Sequence, residues 1–423
     1  MAADETTTDG QLVLARLREL PGGRELLAVA REHGGGVELV GGAVRDILLG
    51  STPRELDTLV EGDVQAVLDR LAELLDATVT VHERFGTALV SAPAVRIDLV
   101  RARAESYGAP GALPEVWPGT LEQDLRRRDF TVNAIAVALD GDRPGELRTV
   151  EHALGDLVAG RLRVLHDRSF LDDPTRLLRI ARYAARLGFE PEGHTAELAA
   201  RALAGGALST VSGARIGAEL RLALAEPEPL DALAEMAHLG VLSALHPRLH
   251  LRESLVGRAL ELLPSGDGRP DLLVLASLVL PLILSVDEEP GGQARALIDR
   301  WQFHSADRDR VVAAAVTSAR LVSELPAIET VSELHAVANG APLEGVALAG
   351  AIGGPECARA AERWLLQTRN VRLAITGEDL LGAGVPQGPE IGRRLDAALA
   401  LLLDGRLDDT RDAQLLAALE ARV

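Results

Sequence analysis

The chain holds 423 residues, 47% of them apolar and 25% charged, a composition that excludes disorder and leaves room for two to four domains. Aromatics make up only 2%, which disfavours a nucleic-acid binder with rows of stacking rings, and the single cysteine, Cys357, excludes an internal disulfide framework and a cysteine-based zinc cage. The net charge of −19 argues against indiscriminate binding to polyanions; yet all 44 basic residues are arginine, whose planar fork suits phosphate and carboxylate, though a GC-rich genome would produce the same bias.

Residues 11–34 have helical spacing around a Pro-Gly-Gly break. A dense α/β stretch follows: strands at Val37–Val40, Glu55–Val60, Thr78–His82, Ala88–Ser91 and Val95–Arg101, with helices at Ala43–Leu49 and Asp63–Leu75. Gly and Pro over residues 105–120 predict a loop, and Leu121–Leu139 a helix. Beyond Gly160 the sequence turns to Ala/Leu/Arg helices with few strand signals. The expected architecture is an α/β head followed by an all-α remainder, divided as an N-terminal helical extension (1–34), a head (35–158), neck and body helices (159–265) and a helical body and tail (266–423). No stretch is long and apolar enough to cross a bilayer; the best, Leu272 to Leu284, is short and interrupted by Pro281. The acidic start MAADETTTDG has neither the basic nor the apolar region of a secretion signal, so a cytoplasmic protein is expected. Cys357 lies in an Ala-rich helical stretch and reads as a small buried residue. His246 and His250 have helical spacing, but Pro247 and the lack of nearby acids argue against a metal site.

Four segments can carry chemistry. In VELVGGAVRDILLG a strand runs into Gly41-Gly42 and a helix, so backbone N–H groups can approach phosphate oxygens, with Arg45 one turn on as a charged fork. A tight turn with a surface arginine fits the same string. In PRELD, Glu55 and Asp57 share a strand face, an arrangement suited to a bridging cation, and Asp98 in VRIDLV is a third acid on an apolar strand. A solvated strand face fits too. In DLRRRDFTVNAIAVAL, Arg126, Arg127 and Arg128 precede Asp129, which suits phosphate binding or a helix-entry ion pair. In FLDDPTRLLRIARYAARLGF, Arg179, Arg182 and Arg186 fall within about 60° of helical arc, with Arg176 about 60° further round. Such a stripe aims at an anion or a base edge, or lies salt-bridged in solvent. Asp173, just before Pro174, can be the helix N-cap, leaving Asp172 to face outward.

In this order the four segments resemble the bacterial class II tRNA nucleotidyltransferase (CCA-adding enzyme) and poly(A) polymerase family. LVGGAVRDILLG looks like the family's nucleotidyltransferase signature, RRDFTVNAIA like its second motif, and DDPTRLLRIARYAARLGF like its nucleotide-selecting helix. LAEMAHLGVLSALHPRL looks like its helical body and LAITGEDLLGAGVPQGPEIGRRL like its tail. The resemblance implies a polymerase-β-like nucleotidyltransferase head on a neck, body and tail. It implies that Gly41, Gly42 and Arg45 hold the incoming triphosphate. Glu55 and Asp57 would bind catalytic Mg²⁺, with Asp98 a third catalytic acid. Arg128, Asp129 and Asn133 would orient the nucleotide, and Asp173 and Arg176 would read the base of CTP or ATP, supported by Arg179 and Arg182. The implied reaction is template-independent addition of CMP and AMP to the 3′ end of tRNA. A poly(A) polymerase, a specialist adding only CC or only A, and a catalytically weak RNA-binding paralogue are the alternatives. Two positions depart from the family pattern: Glu55 stands where an Asp is usual, and the selecting motif begins Asp172-Asp173 instead of Glu-Asp. No His-Asp phosphohydrolase motif is found in the C-terminal half.

Overall fold

The computed structural model describes residues 8–82, 87–283 and 290–421. The first seven residues of the MAADETTTDG segment, and Leu284 at the end of the apolar run, lie outside them. The chain forms two units, Met1–Ser212 with Leu239–Ala244, and Gly213–His238 with Leu245–Val423.

In the first unit, α1 (Gly10–Leu17) and α2 (Gly23–His33) straddle the predicted Pro-Gly-Gly break. They lead into β1 (Val37–Val40), α3 (Gly42–Leu48), β2 (Leu56–Val60), α4 (Val64–Leu75), β3 (Thr78–His82), β4 (Thr87–Ala92) and β5 (Val95–Arg101). These elements follow the expected order, with ends moved by a residue; the second strand starts at Leu56, so Glu55 stands at its mouth.

Two expectations are corrected. The segment read as a loop over 105–120 carries part of a hairpin, β6 (Arg103–Ser106) paired antiparallel with β7 (Glu115–Pro118). All four β7 residues are exposed, so no apolar alternation marked the strand. The predicted helix Leu121–Leu139 ends early: α5 spans Leu121–Arg126, Phe130 is extended, Thr131–Asn133 make one 3₁₀ turn, and β8 (Ile135–Ala138) follows. Every β8 residue is buried, and a strand covered on both faces shows the same continuous apolar run as a buried helix.

With β9 (Leu147–Thr149) these strands complete a seven-stranded mixed sheet, order β3-β4-β5-β2-β1-β8-β9. β1 is antiparallel to both β2 and β8, whereas β2 and β5 run parallel with Asp57 opposite Asp98. Then come α6 (Ala153–Val158), the two-residue strands β10 (Arg161–Leu162) and β11 (Glu190–Pro191), and between them α7 (Ser169–Asp172) and α8 (Arg176–Leu187).

One charge is built into the sheet. Glu38 on β1 has a side chain only 3% exposed; Arg148 Nη1 donates to its Oε1 at 2.8 Å, while Oε2 is buried with no hydrogen-bond partner. Burial, reinforced by Asp140, Glu61 and Glu146 against the single Arg148, pushes its pKa up to about 7. A carboxyl whose pKa is raised on folding favours the folded state while protonated, so its stabilisation is lost as pH rises from about 4.5 to 7. Glu38→Gln, which keeps an acceptor for Arg148, is therefore expected to raise stability at pH 8 by on the order of 1–3 kcal/mol and to change little at pH 4.5. Thermal melts of both proteins at the two pH values check this.

The second unit is helical. Pro270–Ile283, Ser305–Glu324 and Leu343–Ile352 supply much of its core; Pro281 lies in the last turn of the first of these. Within Leu343–Ile352 the fully buried Glu344 is satisfied by a two-point contact from Arg310 and by the Arg269 N–H. Cys357 is buried in this unit, as expected from its small apolar surroundings. A separate cluster of Ile375, Leu380, Val385, Ala398 and Ala418 holds the C-terminal helices. Among the described residues no helix is long and apolar enough to cross a membrane.

Candidate active site

The strand β1 stops at Val40 because Gly41 takes φ +68°, a left-handed conformation that favours glycine, and turns the chain into α3. A methyl group on Gly41 would also run into Arg128 Nη1. Gly42 is different: a methyl there would lie 3.6 Å from Arg45 Nη2 and 3.7 Å from Asp57 Oδ2, in ordinary contact with both. The turn thus brings the glycines, Arg45, Arg128 and Asp57 to one place. Gly41→Ala is expected to cost about 1–2 kcal/mol of stability. Gly42→Ala should leave the melting temperature close to that of the parent but weaken nucleotide binding, because its methyl enters the space between guanidinium and carboxylate. Melting curves paired with nucleotide titrations check both.

Arg45 is buried, and Asp46 and Asn133 occupy its fork. Nε and Nη2 donate to Asp46 Oδ1 at 2.8 and 2.6 Å, and Nη1 donates to Asn133 Oδ1. Arg128 donates from Nε and Nη2 to Asp124 Oδ2 at 3.3 and 3.0 Å and from Nη1 to the Asn133 carbonyl at 3.2 Å. Asp129 Oδ1 accepts from the Phe130 N–H and from Asn133 Nδ2, and its Oδ2 accepts from Arg179 Nε and Nη2 at 2.8 and 2.6 Å. Burial works to raise the Asp129 pKa; Arg179, the Asn133 amide and Arg176 overcome it and hold the carboxyl well below the usual range.

The carboxylates behave in the opposite sense. Parallel register puts Asp57 and Asp98 on one sheet face. Burial first, then Glu55 and Asp98, push the Asp57 pKa up to about 7 against Arg128 and Arg45. Glu55, with a side chain 44% exposed, faces Arg96 Nη2 at 3.8 Å. Among the described residues no group of three or more His, Cys, Asp or Glu side chains is assembled to hold an ion. Asp57 and Asp98, repelling across adjacent strands, nevertheless fit a divalent cation of the kind that takes one or two protein carboxylates and completes its shell with phosphate oxygens and water.

Two of the α8 arginines, Arg179 and Arg186, are turned toward acids of the head. Arg179 holds Asp129, and Arg186 Nη2 donates to Asp46 Oδ2 at 3.0 Å. Arg176 is buried, donating to Ser169 Oγ at 2.6 Å and to the Arg127 carbonyl at 2.8 Å. Arg182 is buried beside Tyr183, its guanidinium 4.8 Å from the ring centre. Asp173 Oδ1 accepts from the Thr175 N–H at 3.0 Å and from Thr175 Oγ1 at 2.6 Å, so it caps the turn entering α8; Asp172 accepts from Arg168 Nη2.

Asp46, Asp124 and Tyr183 are organising residues that sequence reasoning passed over. Asp124 stands three and four residues before Arg127 and Arg128, a readable helical pairing. Tyr183 stands four after Arg179, but nothing in the pattern says that Arg45 comes to the same ring.

Residues 37–163 match the family described as Poly A polymerase head domain. The chain is 35% identical over 414 residues to the CC-adding tRNA nucleotidyltransferase of Deinococcus radiodurans, with 96% of each protein covered. It is 34% identical over 391 residues to the A-adding tRNA nucleotidyltransferase of Geobacter sulfurreducens, covering 90% of this chain but only 44% of that protein. A second A-adding relative, from Halalkalibacterium halodurans, is likewise spanned over about half its length: 49% is covered, at 42% identity over 210 residues and 49% of this chain. Among solved structures, the Thermotoga maritima CCA-adding enzyme complexed with tRNA superposes with a TM-score of 0.77 at 27% identity, covering 97% of this chain and 99% of that one. A CCA-adding enzyme in complex with ATP gives 0.78 at 26% identity, with the same coverage of 97% and 99%. The head therefore has the fold of the CCA-adding enzymes, and the chain, aligned over 96% of its length at 35% identity with one member, belongs to the tRNA nucleotidyltransferase family of transferase enzymes.

Proposed function

We propose that this chain is a cytoplasmic enzyme that transfers CMP and AMP from CTP and ATP to the 3′ end of tRNA without a nucleic-acid template. The observation that carries the reading is the Gly42 turn, where the Asp57 carboxylate and the Arg45 guanidinium both stand within contact of the space a Cβ would take and glycine leaves open. The 3′ hydroxyl oxygen attacks the α-phosphorus, the bond to the pyrophosphate oxygen breaks, pyrophosphate leaves, and the hydroxyl proton passes to solvent. Asp57 and Asp98 would hold Mg²⁺, with Glu55 at the strand mouth. When bound, the ion supplies positive charge to the phosphates and lowers the pKa of the attacking hydroxyl.

The chain's own residues position the nucleotide. Backbone N–H groups after Gly41 and the charges of Arg45 and Arg128 receive the triphosphate. The Asp129–Asn133–Arg179 network fixes α8, at whose entry Asp173 and Arg176 would meet the base edge. A carboxylate acceptor beside a guanidinium donor matches the exocyclic amine and ring nitrogen of C or A, and neither U nor G offers that pattern on the same edge. The helices after residue 159 would hold the RNA by backbone and shape through local arginine clusters, so tRNA affinity is expected to fall steeply with salt. A flat salt response would favour a small acceptor instead.

A second reading, a specialist adding only CC or only A, is favoured by the names of two relatives, an A-adding enzyme at 42% identity over half of this chain and a CC-adding enzyme at 35% over 96% of it. Incubating the protein with Mg²⁺ and tRNA lacking its 3′ end, offering each nucleotide singly and then in pairs, tests both readings. Incorporation of CTP and then ATP is the expected result. CTP alone, or ATP alone on tRNA already ending in CC, supports the specialist, long A-tails a poly(A) polymerase, and no incorporation on either acceptor overturns the enzymatic reading.

A further inference from the structure

Tyr183 is one of only two tyrosines in the chain, and arginines from two helices meet on it. The guanidinium carbon of Arg182 lies 4.8 Å from the ring centre, that of Arg45 5.2 Å and that of Arg179 5.5 Å. Phe130 meets the ring edge-on at 5.9 Å with an interplanar angle of 85°. Arg179 Nη2 also donates to the Tyr183 hydroxyl at 3.3 Å. Guanidiniums this close repel one another unless something between them attracts each. The negative faces of the ring do so, while Asp46 anchors Arg45 and Asp129 anchors Arg179. Arg45 belongs to α3, beside the Gly41-Gly42 turn, whereas Arg179 and Arg182 belong to α8, which also carries Arg176.

We infer that Tyr183 is a positioning residue that sets the spacing between Arg45 on α3 and Arg179 on α8, so that the triphosphate end and the base end of the nucleotide are held in one register. It acts through these arginines and not on the reacting atoms. The inference rests on the nucleotide-binding reading proposed above. A leucine would fill much of the same half-buried space but offers no electron-rich face. The guanidiniums would then drift apart, and a base could be accepted without correct alignment of its phosphates.

The test uses the full chain and three readouts: direct calorimetric binding of each of the four nucleotides without tRNA, steady-state incorporation on tRNA lacking its 3′ end, and melting temperature. Tyr183→Leu is expected to weaken CTP and ATP binding about tenfold, to raise KM and lower kcat for incorporation, and to narrow the preference over UTP and GTP. Tyr183→Phe keeps the ring and loses only the 3.3 Å hydroxyl contact, and is expected to stay within about twofold of the parent in every readout. Should Tyr183→Leu fail to fold, Tyr183→Met makes the same comparison. Unchanged KM and base preference in the aliphatic variant, with or without a lower melting temperature, overturn the inference; so does Tyr183→Phe as impaired as Tyr183→Leu. A parent protein that binds none of the four nucleotides overturns the proposed function itself, whereas a parent that binds them while Tyr183→Leu binds equally well overturns only the role of Tyr183.

Discussion

Replacing Asp57 with alanine should lower nucleotide incorporation by about 10³-fold or more, since an ion held there as proposed would be worth several kcal/mol of transition-state charge stabilisation. The fold should not suffer. Asp57 carries a pKa pushed up to about 7 by burial, Glu55 and Asp98, so the ion-free protein gains when that charge is removed at neutral pH. The variant should therefore melt no lower than the parent and bind tRNA as well. Glu55→Asp, at a half-exposed position at the strand mouth, should be tolerated or turn over faster. Incorporation assays, melting curves and filter binding on the same preparations check these outcomes. Near-normal incorporation by Asp57→Ala would overturn the assignment of the metal strand.

The second large effect is expected at Asp173. Its carboxylate caps the turn before α8 through Thr175, so Asp173→Ala should lose about 1 kcal/mol of stability. It should also lose selectivity for CTP and ATP over UTP and GTP by roughly tenfold to a hundredfold, if the carboxylate is the charged hydrogen-bond partner proposed for the base edge. The two losses are separable. Serine caps a helix about as well as aspartate but is too short and uncharged to serve the base edge, so Asp173→Ser should recover the melting temperature and not the selectivity. Four-nucleotide incorporation beside a thermal melt decides it; recovery of base preference by serine would leave Asp173 a cap and nothing more.

Local chemistry made much of the head legible in the sequence. Gly41-Gly42 between an apolar run and a helical one encodes a strand-turn-helix, since the left-handed φ of Gly41 favours a residue without a Cβ. Asp57 and Asp98 stand out because an acid on an apolar strand gains nothing from burial unless a partner waits for it. The arginine stripe of α8 follows from the 3.6-residue repeat. The segments that were misread fail for equally local reasons. Residues 135–138 are buried on both faces and so carry no period that separates strand from helix, and β7 is exposed along its whole length.

Which residues carry charge, and the Gly41-Gly42 turn, follow from local composition and spacing. What each charge faces depends on packing between distant segments. Asp57 lies beside Asp98 only because β2 and β5, separated by the excursion through α4, β3 and β4, pair in parallel at that register. Arg45 and Arg179, 134 positions apart by their numbers, share one tyrosine ring because α8 folds back onto α3. The arginine stripe, read along the helix, suits an external anion; in the fold Asp46 and Asp129 meet Arg186 and Arg179. Periodicity sets the direction in which a side chain leaves its own backbone, but the partner it reaches depends on how distant segments pack, and no local pattern encodes that.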